Sequence, residues 1–217
     1  QRAYSWEYEQ LKTFFDDLIH HKNLKREFFI GSILTTHEYH TNNIKVIDGQ
    51  QRITTCLLFS LALLKIFYEK KQEESLTDDI GGLAQTGRNI NNPPVSIDSL
   101  TDRFNQILAQ IFPPNRTIGN GNFNFVLNPS KNDMFEWNEI FQEEFIANNE
   151  NINPQAMQDA SAKIGSGKLL ASFHDAQNFI KEKGSLVEGL NLQPIDYLRR
   201  LIDTCDFLWE NFKFAEI

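Results

Sequence analysis

The sequence has 217 residues, 21 Lys and Arg against 29 Asp and Glu, and a formal net charge of −8 at pH 7. With 41% apolar residues and 18 Phe, it has the material for a packed core and falls outside the disordered class, whose chains lack aromatics. No apolar run reaches the roughly 18 residues of a membrane span, and the acidic balance argues against a protein that coats DNA non-specifically over its whole surface.

Residues 1–5 read as irregular, and a helix is predicted from about Trp6 to His21. Leu11, Phe14, Phe15, Leu18 and Ile19 recur at helical spacing. Ser5 is the expected N-cap, and Glu7 and Glu9 suit the dipole of the first turn. His20 and His21 suit the opposite end. Phe28 to Thr35 reads as a strand, Asn42-Asn43 as a turn, and Ile44 to Ile47 as a second short strand antiparallel to the first. A helix from about Gln51 to Lys71 follows. It is apolar on nearly every face from Ile53 to Phe67, which predicts the central buried helix of the domain.

Residues 72–96, with Gly81-Gly82 and Pro93-Pro94, read as a long polar loop. A helix from about Ile97 to Phe112 is ended by Pro113-Pro114. Asn122 to Leu127 alternates like a strand. Ser130 and Asp133 resemble a capping box that opens a helix through about Phe145. Two further helices are expected at roughly 154–183 and 194–209, the second with Pro194 in its first turn. Phe212 to Ile217 alternates like the start of a strand. Cys56 and Cys205 sit in apolar or amphipathic runs and read as small core residues, which fits a reduced, cytoplasmic protein. The fold class is α+β: a small mixed sheet with a buried central helix, then a mainly helical part. The divisions are a core at 1–72, a loop at 73–96 and the helical part at 97–217.

The residues that point most clearly to chemistry are Asp48-Gly49-Gln50-Gln51-Arg52, where a short apolar strand passes straight into a helix. A helix N-terminus presents N–H groups and the positive end of a dipole, so it favours anions. Gly49 permits close backbone approach. Gln50 and Gln51 bring amides, and Arg52 grips a phosphate bidentately. Asp48 is placed to hold a metal ion or orient a water. The plainer alternative is a capping Asp and a turn Gly. Gln1-Arg2-Ala3-Tyr4-Ser5-Trp6 is the second cluster. Tyr4 and Trp6 suit a helix entry with aromatic staples, whereas Gln1 and Arg2 suit a base edge or a backbone phosphate. A basic surface would have to come from a local group such as Arg2, Lys22, Lys25, Arg26 and Arg52.

Two other patterns are set aside. Gly165-Ser166-Gly167-Lys168 imitates a phosphate loop, but Leu169 stands where a Ser or Thr is needed and no strand precedes it. His37 and His40 have metal-like spacing in a polar turn with only Glu38 beside them. No Ser/His/Asp or Cys/His arrangement is present.

Gln1-Arg2-x-Tyr4-x-Trp6, Phe29-Ile30-Gly31-Ser32-Ile33 and Asp48-Gly49-Gln50-Gln51-Arg52-Ile53-Thr54-Thr55 together resemble three successive signatures of one family. It is domain-of-unknown-function family 262, the GmrS/SspE-type N-terminal domain. The resemblance covers about residues 1–70. It implies a ParB/sulfiredoxin-like core with a site for NTP and Mg²⁺ at the DGQQR turn. Asp48 and Arg52 are then the catalytic residues, with Asp48 toward the metal. Gly49, Gln50, Gln51 and Arg52 hold phosphate, and Gln1, Arg2 and Tyr4 contact nucleotide or DNA. It also implies modification-dependent restriction and phage defence, with hydrolysis coupled to an HNH-type nuclease. No His-Asn-His cluster is present, so the nuclease is expected outside this chain, and a homo-oligomer is a further expectation.

Three functions follow. The first is an NTP-hydrolysing, DNA-sensing domain of a defence protein. The second is a nucleotide- or DNA-binding module without turnover. The third is a ParB-like nuclease.

Overall fold

A helix that is apolar on every side lowers its free energy only by being surrounded. The structure, a computed structural model, describes residues 3–37, 44–78, 96–111, 133–141, 167–183 and 194–210. Among the described residues the elements are α1 (Tyr8–Asn23), β1 (Leu34–His37), β2 (Ile44–Asp48), α2 (Gln50–Asp78), α3 (Ile97–Ile111), α4 (Met134–Phe141), α5 (Lys168–Glu182) and α6 (Pro194–Glu210). The α+β class holds, with helices predominating.

The apolar stretch lies inside α2, which packs against α5, α6 and α3, while α1 covers α5 and α6 and α4 rests on α5. From Ile53 to Leu64 every α2 residue is buried. Thr55 and Ser60 are tolerated there because their hydroxyls bond back to the carbonyls of Gln51 and Cys56, at 2.9 and 2.8 Å. Phe59 anchors an aromatic stack. Its ring centroid lies 5.1 Å from Phe15, nearly parallel, and 5.4 Å from Phe14, which also meets Phe28. Phe67 stacks on Phe104 of α3. Arg103 of α3 forks onto Asp206 of α6 at 3.0 and 2.5 Å. Both cysteines are free and buried, and burial pushes their thiols up, that of Cys205 to about 12. No helix of the described residues is long and apolar enough to cross a membrane.

Several boundaries differ from expectation. Helix α1 starts at Tyr8 with Glu7 as N-cap, and the Glu7 N–H donates to Gln10 Oε1 at 2.9 Å. Ser5 lies too early in the chain to cap it, and its own N–H donates to Gln51. The helix ends where Lys25 enters the left-handed region (φ +52°), with the Arg26 N–H bonded to the His21 carbonyl. Lys22 of the suggested basic group faces Asp203 and Arg200 of α6, and burial lowers its ammonium from the ordinary lysine range.

The first strand begins at Leu34, not Phe28, because Gly31 (φ +97°) interrupts the extended chain. It pairs antiparallel with β2, Leu34 opposite Asp48 and Thr35 opposite Val46, with a register shift between Leu34 and Thr35. Among the described residues the sheet is this antiparallel pair rather than a mixed one. Helix α2 runs on to Asp78, so residues 73–78 are helical and not loop; Glu, Lys and Gln are strong helix formers, and Lys70 pairs with Glu73 at 2.6 Å. Helix α6 spans the predicted stretch, with Pro194 first. The loop beyond 78, the strand at 122–127, the Ser130 cap, residues 154–166 and the segment 212–217 lie outside the described residues.

Helix α4 carries two buried acids, Asp133 at its start and Glu136 in its first turn. The Glu136 carboxylate accepts the N–H groups of Gly167, Leu169 and Leu170 at 2.9, 2.7 and 3.0 Å, and so caps α5 from another helix. Lys168 also forms an ion pair with Glu7.

Because Phe59 is wholly buried at the centre of the stack, Phe59→Ala should cost about 3–5 kcal/mol, read as a lower midpoint in denaturant unfolding with the slope unchanged.

Candidate nucleotide-binding turn

The turn between β2 and α2 is built around one glycine. Gly49 has φ +94° and is buried against Ile33; a Cβ there would lie 2.9 Å from Ile33 Cγ1 and 3.3 Å from its Cα. Only glycine fits both the dihedral and the space. The Gly49 carbonyl accepts the Ile53 N–H at 3.1 Å, the first rung of α2. The first turn of α2 carries no acidic residue, so no carboxylate within that turn opposes an anion at the positive end of its dipole.

Around this glycine the predicted residues separate into two groups. Asp48 is exposed at the strand end. Arg52 is partly exposed, and its Nη1 donates to the Ser32 carbonyl at 2.5 Å. Its guanidinium lies over Gly31, where a Cβ would come within 2.7 Å of Nη1. A second positive-φ glycine thus makes room for the arginine. A guanidinium has five N–H donors, and this contact takes one. Gln50 Nε2 donates to the Val46 carbonyl at 2.8 Å, tying the first turn of the helix to its strand.

Gln51 belongs to the second group. Its Oε1 accepts the Ser5 N–H at 2.9 Å, and its Nε2 donates to the Ala3 carbonyl at 3.0 Å. Both ends of the amide are spent on the N-terminal segment. Tyr4, between those two residues, is 2% exposed, with its hydroxyl 2.8 Å from Thr55 Oγ1. Burial pushes its phenol well above the ordinary range. In place of a surface contact with nucleotide or DNA, Tyr4 anchors the segment to α2. Gln1 and Arg2 lie outside the described residues.

Sequence reasoning missed Asp133. Its two carboxylate oxygens accept the Tyr4 N–H at 3.1 and 3.0 Å. An acid opening a short helix reads as a cap, and only a pairing across 129 positions reveals its other use. Among the described residues no group of three His, Cys, Asp or Glu gathers to hold a metal. The Gly165–Lys168 imitation of a phosphate loop has its helix start filled by Glu136.

The family model described as GmrSD restriction endonuclease, N-terminal domain, matches residues 1–214. No curated protein and no solved structure matches the chain.

Gly49 and Gly167 are both left-handed, yet a Cβ at Gly167 meets nothing within 4 Å. Gly167→Ala should therefore cost about 1 kcal/mol from its dihedral alone. Gly49→Ala adds overpacking against Ile33 and should cost about 3 kcal/mol. Equilibrium unfolding of the two variants measures the difference.

Proposed function

Since the chain belongs to the family of GmrSD restriction endonuclease N-terminal domains, we propose that it is the NTP-hydrolysing, DNA-sensing part of a restriction-type phage-defence protein. The observation that carries this reading is the start of α2. A buried left-handed glycine, a first turn without acids and a guanidinium held beside it form an anion-accepting corner.

The residues present suit a nucleotide with Mg²⁺. Phosphate oxygens match the N–H groups of the first turn and the further donors of Arg52. Mg²⁺ is usually held by one or two carboxylates together with substrate phosphates and waters, and Asp48 supplies one exposed carboxylate at the strand end. When bound, the metal nucleotide supplies the phosphoanhydride and a divalent charge that offsets developing negative charge. Arg52 orients phosphate from a position fixed by Ser32 and Gly31. Asp48 accepts a proton from, or aligns, an attacking water. Gly49 lets the backbone approach. Gln50 keeps the turn in register, and Gln51 contributes its backbone while its side chain holds Ala3 and Ser5. Gln1 and Arg2 are the proposed contacts to DNA, modified DNA included, and an HNH-type nuclease is the proposed partner domain. A cytoplasmic setting accompanies that role.

A module that binds nucleotide without turnover is the second reading. It is favoured by the single carboxylate at the turn, since among the described residues no larger acidic or metal-ligating group accompanies Asp48. Phosphate release with each NTP and Mg²⁺, with and without DNA, separates the two. Asp48→Ala and Arg52→Ala should each lower release about a hundredfold. Equal release by the variants and the wild type would overturn the assignment. Tight binding with no release in the wild type would support the module. A plasmid-nicking assay on the chain should show no cutting.

A further inference from the structure

Three apolar side chains on the segments that lead to this turn stand in solvent. Phe29 is 76% exposed, Ile47 55% and Leu34 38%. Two lie in the hairpin, and the third lies in the stretch that leads into it. Ile47 precedes Asp48, and Leu34 is the partner of Asp48 across the hairpin. Phe29 lies two residues before Gly31, the backbone beneath the Arg52 guanidinium. An extended chain spans at most about 3.5 Å per residue, so the Phe29 Cα is within about 7 Å of the Gly31 Cα.

The exposure of Phe29 has a local cause. Phe28 turns inward, 6% exposed, onto Phe14, and Phe29 beside it is left outside that packing. A large aromatic ring left in water forgoes the favourable transfer that burial gives. Such a ring beside an anion-accepting corner suits a ligand that is charged at one end and flat and apolar at the other. A nucleotide joins both in one molecule.

We propose that Phe29, together with the exposed Ile47 and Leu34 of the hairpin, is the nucleobase subsite of this turn, its ring stacking on the base of the nucleotide whose phosphates sit at α2. This rests on the reading that the turn binds NTP. Stacking reads the π-face and not the hydrogen-bonding edge of a base. The subsite therefore holds adenine and guanine nearly alike.

The test is calorimetric titration of the 217-residue chain with ATP, GTP and inorganic tripolyphosphate, each with Mg²⁺. Wild type is compared with Phe29→Ala and Phe29→Leu. Stacking on an aromatic side chain is lost by alanine substitution at a cost of about five- to a hundredfold in affinity per base. Phe29→Ala should weaken ATP and GTP by that factor and leave tripolyphosphate unchanged. Phe29→Leu, which restores apolar area without the ring, should recover little. An exposed side chain adds little to the core, and thermal unfolding of the variants should match wild type. Undiminished ATP and GTP affinity in Phe29→Ala would overturn the base subsite and leave the phosphate site standing. So would wild-type affinity for tripolyphosphate equal to that for ATP, or an equal loss for tripolyphosphate in the variant. Absence of binding of all three ligands to wild type would overturn both readings.

Discussion

The amide of Gln51 accepts a hydrogen bond from Ser5 and donates one to Ala3, while the carboxylate of Asp133 takes the N–H of Tyr4 between them. Three consecutive residues are thus held by backbone contacts to α2 on one side and α4 on the other. The Tyr4 hydroxyl on Thr55 adds a fourth tie one helical turn further along α2. Bonds to backbone groups depend little on the identity of the residues held, but strongly on the clamp. A Gln presents a donor and an acceptor on one planar group, which is what a carbonyl and an N–H two residues apart require. The start of α2 therefore cannot shift without pulling on the first described residues of the chain.

Burial inside the helical part makes this clamp firm. Asp133 and Glu136 are 5% and 2% exposed. Carboxylates are taken from water only where hydrogen bonds offset their lost hydration. Here backbone N–H groups supply those bonds, two oxygens converging on Tyr4 and three N–H groups on Glu136. Helix α4 is short, yet it joins the N-terminal segment to the start of α5. The apolar length of α2 then fixes everything else, since α3, α5 and α6 all pack on it.

Periodicity makes the helices legible. The faces of α1 and α6 and the all-round apolar character of α2 are written in spacing, and Pro194 marks the start of α6. The hairpin is legible in its second strand. Its first strand starts later than the sequence suggests, because an apolar run from Phe28 resembles a strand until Gly31 turns into the left-handed region. The turn at Gly49 is visible as a strand meeting a helix through Asp-Gly. What spacing does not carry is how its polar residues divide their bonds. Gln50, Gln51 and Arg52 are neighbours in sequence, but one holds Val46, one the N-terminal segment and one Ser32. Such partners lie up to 48 positions away, and composition carries no trace of them. Asp133 and Glu136 are hidden for the same reason.

Among the described residues two helix starts follow a left-handed glycine, Gly49 before α2 and Gly167 before α5. Letter by letter, the start of α5 is the closer match to a place for phosphate, with its Gly-Ser-Gly-Lys. Glu136 has already been set there, so the protein carries its own permanent counter-anion at that end. Any incoming phosphate would have to displace a carboxylate tethered to the core and leave it buried without those donors. The N–H groups at the start of α5 are thus already committed, and the group that occupies them comes from α4, an element that belongs to neither glycine. Whether a helix start is open or closed to an outside anion is in this sense decided by the packing around it.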